Sequence, residues 1–203
     1  YFSAVTDCLL EANKDITYNL LSSIWKVKKD FMPLVITKQV IPEKIINVLV
    51  KNKGKANVFV SIPSLNDNLL SLLEPGATKV IERLKDIKRL TSKGVEVVAV
   101  IMPWFNIYEK GENIEDLPRE LARVGVKRCV LGTGVLSEIQ KQKFLNTKNK
   151  AIINVVEQMV EEKQVTTKIG YVIPIEKRAE KQGTTKIGYV IPIEKRAELF
   201  REM

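Results

Sequence analysis

The chain has 203 residues, of which 45% are hydrophobic and 28% charged, values ordinary for one globular domain or a large piece of one. Lys and Arg number 33 against 24 Asp and Glu, a formal net charge of +9. There is no histidine, which excludes Ser-His-Asp and Cys-His catalysis and every His-ligated metal site.

Tyr1–Asp7 reads as a buried strand, and Tyr1 in place of Met inside it suggests a truncated start. Ile16, Leu20, Leu21, Ile24 and Val27 give Asp15–Lys29 helical spacing. Pro33–Thr37 is a short apolar run of strand length. Pro42 stands where a first helical turn tolerates proline, and Ile45, Ile46, Leu49 and Val50 continue one apolar face as far as Gly54. Asn57–Ile62 reads as the third strand, and Pro63–Ala77 as a long connection.

A helix follows near Thr78–Ser92, with Val80, Ile81, Leu84, Ile87 and Leu90 as its stripe and Gly94 as its terminator. Val95–Met102 is an almost unbroken apolar strand. Pro103–Asn113 is a loop carrying Trp104, Phe105 and Tyr108, which suit either a substrate pocket or a core cluster. Glu115–Val124 reads as a helix closed by Gly125, Lys127–Leu131 as a fifth strand, and Glu138–Lys163 as helical with a break near Asn146.

Strand and helix therefore alternate five times, and the strands are continuous apolar runs. That is the mark of parallel strands covered on both faces. An open doubly wound sheet and part of a barrel both satisfy the pattern, and a closed (β/α)8 barrel takes about 250 residues. The tail, 166–203, is set apart from 1–165. Thr166–Glu180 and Thr184–Glu198 are identical fifteen-residue blocks. Two perfect copies do not make a solenoid, which needs about three units. The second copy is expected to hold the native place, because Leu199 and Phe200 extend it with apolar residues, leaving the first as an insertion.

Active sites of parallel βα folds form where the strands finish. Here those positions are Thr6 and Asp7, Thr37 and Lys38, Ser61, Pro103, and Gly132 and Thr133. Singly, each suits turn and capping chemistry; as a set they suggest one shared rim. Lys38 suits a carboxylate or phosphate, although no Gly-rich phosphate loop is present. Cys8 and Cys129 are too far apart in sequence for a zinc spacing and read as buried thiols in a reducing cytoplasm. No run of about 20 apolar residues spans a membrane. The spread of Lys and Arg suits solvated helix faces more than a nucleic-acid groove.

Four pieces, in order, carry a resemblance. Val5-Thr6-Asp7-Cys8, Ile36-Thr37-Lys38, Ser61-Ile62-Pro63-Ser64, and Leu73-Glu74-Pro75-Gly76-Ala77 with Arg83, Leu90 and Gly94 resemble the middle of radical S-adenosylmethionine (radical SAM) enzymes of the spore photoproduct lyase-like group. Tyr189-Val190-Ile191-Pro192 with Glu194 and Arg196 resembles that group's tail.

The resemblance implies a partial (β/α) TIM-type barrel of about five βα units plus a C-terminal tail. It also implies a parent enzyme that cleaves S-adenosylmethionine reductively with a 4Fe–4S cluster. Lys38, Ser61, Arg83, Thr6 and Asp7 would be cofactor contacts, with Arg83 alternatively paired to Glu74, Glu82 or Asp86. The group's C-x-x-x-C-x-x-C cluster loop has no counterpart in this sequence, Leu9-Leu10-Glu11-Ala12 departs from the group's pattern, and Gln39 replaces its usual Ser. The stretch is thus expected to be inactive by itself, with no metal ligands and no assignable catalytic residue. Two alternatives stand beside this: a non-catalytic basic βα module binding nucleic acid or a protein partner, and some other βα enzyme.

Overall fold

The computed structural model describes residues 6–102, 116–131, 135–136, 138–157, 160–161 and 171–174. The elements run α1 (Lys14–Val27), β1 (Leu34–Thr37), α2 (Glu43–Lys51), β2 (Asn57–Ser61), α3 (Asp67–Leu73), α4 (Val80–Ser92), β3 (Val97–Ile101), α5 (Asp116–Arg123) and β4 (Arg128–Leu131). They continue with β5 (Val135–Leu136), α6 (Glu138–Leu145), α7 (Lys150–Val156), β6 (Val160–Glu161) and β7 (Tyr171–Pro174). The main sheet has the order β1-β2-β3-β4-β7. Its first four strands are parallel and in sequence order, joined by helical crossovers, which makes an arc of a (β/α) barrel, an α/β fold.

Paired residues of neighbouring strands share a face. Val35, Thr37, Val58, Val60, Val97, Ala99 and Cys129 lie on one face and are sealed in the core, which also holds Ile45, Ile46 and Leu49 of α2 and Leu84, Ile87 and Leu90 of α4. On the opposite face Ile36, Phe59, Val100 and Val130 are only half-buried. Burying a side chain such as Leu or Ile in this way stabilises by roughly 1.5–3 kcal/mol, so the repeating apolar stripes of α2 and α4 fix each crossover to the sheet.

Four expectations need correction. The connection 63–77 contains a helix, α3, capped by the Asn66 side chain, which accepts from the Leu69 N–H at 3.0 Å. The helix expected to reach Lys163 is two helices ending at Val156, and Val160–Glu161 pairs with Val135–Leu136 as a small parallel ladder. The sheet is not wholly parallel, because β7 joins β4 antiparallel, Cys129 opposite Ile173. β7 also belongs to the first copy of the duplicated block, so that copy takes a place in the sheet rather than standing as an insertion. Tyr1–Val5 of the expected first strand, the aromatic loop with Trp104, Phe105 and Tyr108, the segment Gly132–Gly134, and the second copy lie outside the described residues.

Candidate functional site at the strand ends

Thr37 pairs with Val60 across β1 and β2, so the next residues, Lys38 and Ser61, finish adjacent strands side by side. Ser61 pairs with Val100 of β3 and therefore belongs to the half-covered face. It is 3% exposed, and its hydroxyl makes no hydrogen bond among the described residues. The Lys38 side chain is 44% exposed and donates from Nζ to Glu74 Oε1 at 2.5 Å.

Glu74 reaches this point because α3 is cut short. Its own N–H closes the last turn on the Leu70 carbonyl at 2.7 Å. Pro75 then has no N–H to continue the helix, and Gly76 takes a left-handed φ of +84°. The turn delivers the Glu74 carboxylate between Lys38 and Arg83. Arg83, on α4, is buried. It donates from Nη1 and Nη2 to Glu74 Oε2, both at 3.2 Å, from Nη1 to the Ser61 carbonyl at 2.9 Å, and from Nε to the Thr78 carbonyl at 2.6 Å. The Thr78 N–H donates to the Lys38 carbonyl at 3.1 Å. Lys38, Glu74, Arg83 and Thr78 thus close a ring of hydrogen bonds that ties the ends of β1 and β2 to the start of α4.

Asp7 completes the cluster from below β1. One carboxylate oxygen accepts from the Lys38 N–H at 2.6 Å, and the other from the Leu9 N–H at 2.8 Å. The Thr37 hydroxyl reaches both, at 2.8 and 3.1 Å. Thr6 is exposed, and its hydroxyl accepts from the Asn13 side chain at 3.1 Å. The structure therefore gathers Asp7, Lys38, Ser61 and Arg83 at one rim, while Thr6 belongs to the turn before α1. Arg83 is turned inward on protein partners, and of the alternatives the pattern left open its carboxylate is Glu74.

Two further residues join the rim: Gln39, noted in the sequence only as a departure from the resembled group's Ser, and Thr78, read there only as the start of a helix. The Thr78 hydroxyl donates to Gln39 Oε1 at 3.0 Å and accepts from the Val40 N–H at 3.2 Å, and Gln39 Nε2 donates to the Gly76 carbonyl at 3.0 Å. No spacing rule points to them, because these contacts join loops about 40 residues apart.

The thiols are placed for packing. Burial, with the nearby Asp7 charge adding to it, pushes the Cys8 thiol up to about 11, so it stays protonated at neutral pH. Cys129 is buried on β4. Among the described residues no group of three His, Cys, Asp or Glu side chains is placed to hold a metal ion. A cleft of about 540 Å³ between α4 and α5, lined by Leu65, Val80, Ile81, Leu84 and Arg119 among others, holds none of the rim residues.

Fold and cluster together define a parallel βα protein whose polar groups converge where the strands finish, the rim at which such folds bind their ligands. The chain is similar in structure to a double mutant of spore photoproduct lyase with bound AdoMet and dinucleoside spore photoproduct. The TM-score is 0.54 at 18% identity over 98% of this chain and 55% of that one. That likeness is one of fold, and the chain spans about half the length of that protein. No protein-family model matches the chain, and no curated protein matches it.

Proposed function

We propose that this chain is the βα portion of a radical SAM enzyme of the spore photoproduct lyase-like group, and that its strand-end rim takes up the amino-acid end of S-adenosylmethionine. The observation that carries the reading is the adjacency of Lys38 and Ser61 at the ends of parallel β1 and β2. The ammonium supplies a charge-assisted donor for a carboxylate, and the Ser61 hydroxyl faces the half-covered side of the sheet, where a nucleoside would lie against Phe59 and Val100. The sequence pieces around Lys38, Ser61 and Glu74 support the same reading. So does the fold shared with a lyase that carries AdoMet. Asp7 and Arg83 hold the rim together; Lys38 and Ser61 meet the cofactor.

The 4Fe–4S cluster does not fit the residues of this chain. Such clusters are held by thiolates, and the two cysteines here, Cys8 and Cys129, are both buried, with the Cys8 thiol held protonated. This stretch therefore supplies cofactor binding and not reductive cleavage, and in the parent the cluster would come from outside it. A DNA-derived substrate, as in the lyase, and a cytoplasmic setting belong to the same proposal. No helix among the described residues is long and apolar enough to cross a membrane.

Isothermal titration calorimetry with S-adenosylmethionine tests the reading. Weak saturable binding is expected, lowered roughly tenfold by Lys38→Ala, the loss of one charge-assisted contact. Absence of binding, or equal binding by Lys38→Ala, would overturn it.

A further inference from the structure

The charges of the rim form a closed set. Among the described residues the ring and its footing contain two cations, Lys38 and Arg83, and two carboxylates, Asp7 and Glu74, all joined by hydrogen bonds. Glu74 is only 7% exposed and serves both cations, so neither is left uncompensated. A rim that bound simple anions would show the opposite arrangement, an excess of cations in a partly desolvated place.

We infer that Glu74 is a specificity residue, which makes the strand-end rim electroneutral so that it accepts a ligand bringing its own positive charge and rejects a bare anion. The inference rests on the proposed function and deepens it. S-adenosylmethionine carries a carboxylate, an ammonium and a sulfonium, a net charge of +1 at neutral pH. S-adenosylhomocysteine lacks the sulfonium and is net neutral, and adenosine 5′-monophosphate is anionic. At the neutral rim the carboxylate end of the first ligand engages Lys38. Its remaining positive charge then rests near Glu74 and Asp7. A phosphate would instead leave the rim with an unbalanced negative charge. One unit charge a few ångströms away, in a partly desolvated setting, is sufficient for about a tenfold difference in affinity.

Calorimetric titration of the three ligands into three proteins tests this. Wild type is expected to bind S-adenosylmethionine about tenfold more tightly than S-adenosylhomocysteine and not to bind the monophosphate. Glu74→Gln makes the rim net positive. The ratio should fall toward one, and monophosphate binding should emerge. Lys38→Gln makes the rim net negative; both nucleosides should weaken while the ratio widens. Lys38 is partly exposed, so this variant retains the fold and keeps the test open where Glu74→Gln unfolds. A wild-type ratio near one, or a ratio that does not move in either variant, overturns the charge argument and leaves cofactor binding intact. Should wild type bind neither nucleoside, the cofactor reading itself fails. The charge argument then stands on monophosphate binding by Glu74→Gln, and falls without it.

Discussion

Replacing Arg83 by methionine keeps most of the side-chain volume and removes the guanidinium. The structure shows what that leaves behind. Glu74, 7% exposed, loses its bidentate partner and keeps only the Lys38 ammonium, and the carbonyls of Ser61 and Thr78 lose donors at 2.9 and 2.6 Å. Breaking one side of a buried ion pair costs about 3–5 kcal/mol, and a carbonyl without its donor costs about 1–3 kcal/mol. Water reaching the rim through the exposed Lys38 side recovers part of this, so a net loss of about 4 kcal/mol is expected. For a chain of this size that is a fall of roughly 8–16 °C in Tm. Urea denaturation followed by circular dichroism gives the value directly. The double variant Arg83→Met with Glu74→Leu, which removes the stranded carboxylate as well, should recover at least 1.5 kcal/mol, and that coupling is what identifies the pair as the cause. A single-variant loss below 1 kcal/mol, or a double variant no better than the single, would refute the reasoning.

Three other outcomes follow from the same coordinates. The Cys8 thiol has its folded value raised to about 11 from an ordinary 9. Its contribution to stability is therefore fully present below pH 9 and is lost as pH rises through 11, by about 1–2 kcal/mol after allowance for solvent screening. Denaturation midpoints at pH 8 and 10.5 should draw apart in wild type more than in Cys8→Ala, and equal shifts would count against it. Gly125 has φ +87°, and a Cβ there would meet Thr91 Oγ1 at 2.8 Å. Gly54, at φ +79°, has nothing within 4 Å of that position. Gly125→Ala should then cost clearly more than the roughly 1 kcal/mol of left-handed strain expected for Gly54→Ala, and thermal melts that rank the two the other way would reject this. Deleting Thr166–Gly183 brings the second, identical block into the chain position of the first. The strand paired with β4 should be restored by Tyr189–Pro192, with amide hydrogen exchange along β4 (Arg128–Leu131) unchanged, whereas faster exchange in that strand would show that the slot needs more than the repeated sequence.

Much of the framework was legible because central parallel strands are mostly apolar runs, and Leu34–Ile36, Val58–Val60, Val97–Ile101 and Cys129–Leu131 are such runs. Lys38 and Ser61 stood out for the same reason: each is polar at the end of an apolar run. Helix α3 was obscured by its surroundings. Ser64, Asn66, Pro75 and Gly76 all favour turns, and a seven-residue helix between them leaves little periodicity to detect. The partner of Arg83 was not readable either. Glu82 and Asp86 lie closer in sequence, but the structure turns Asp86 to the Ile41 N–H at 2.7 Å and to Arg89, while the Pro75–Gly76 turn brings Glu74 to the guanidinium from the other side. In the tail, two identical blocks present identical chemistry, so sequence offered only the apolar Leu199 and Phe200 as a reason to prefer the second. The structure seats the first copy, the one nearer in the chain, beside β4.

The reversed direction of β7 has a consequence for how the sheet can grow. A βα unit extends a parallel sheet only by laying its strand alongside one that runs the same way. With β7 hydrogen-bonded to β4 from the opposite direction, that flank is occupied by a strand on which the winding pattern cannot be repeated. Among the described residues the flank beside β1 keeps the polarity the pattern requires. A further parallel strand added there would stand next to Lys38, as a wall of the strand-end rim and not at its far side.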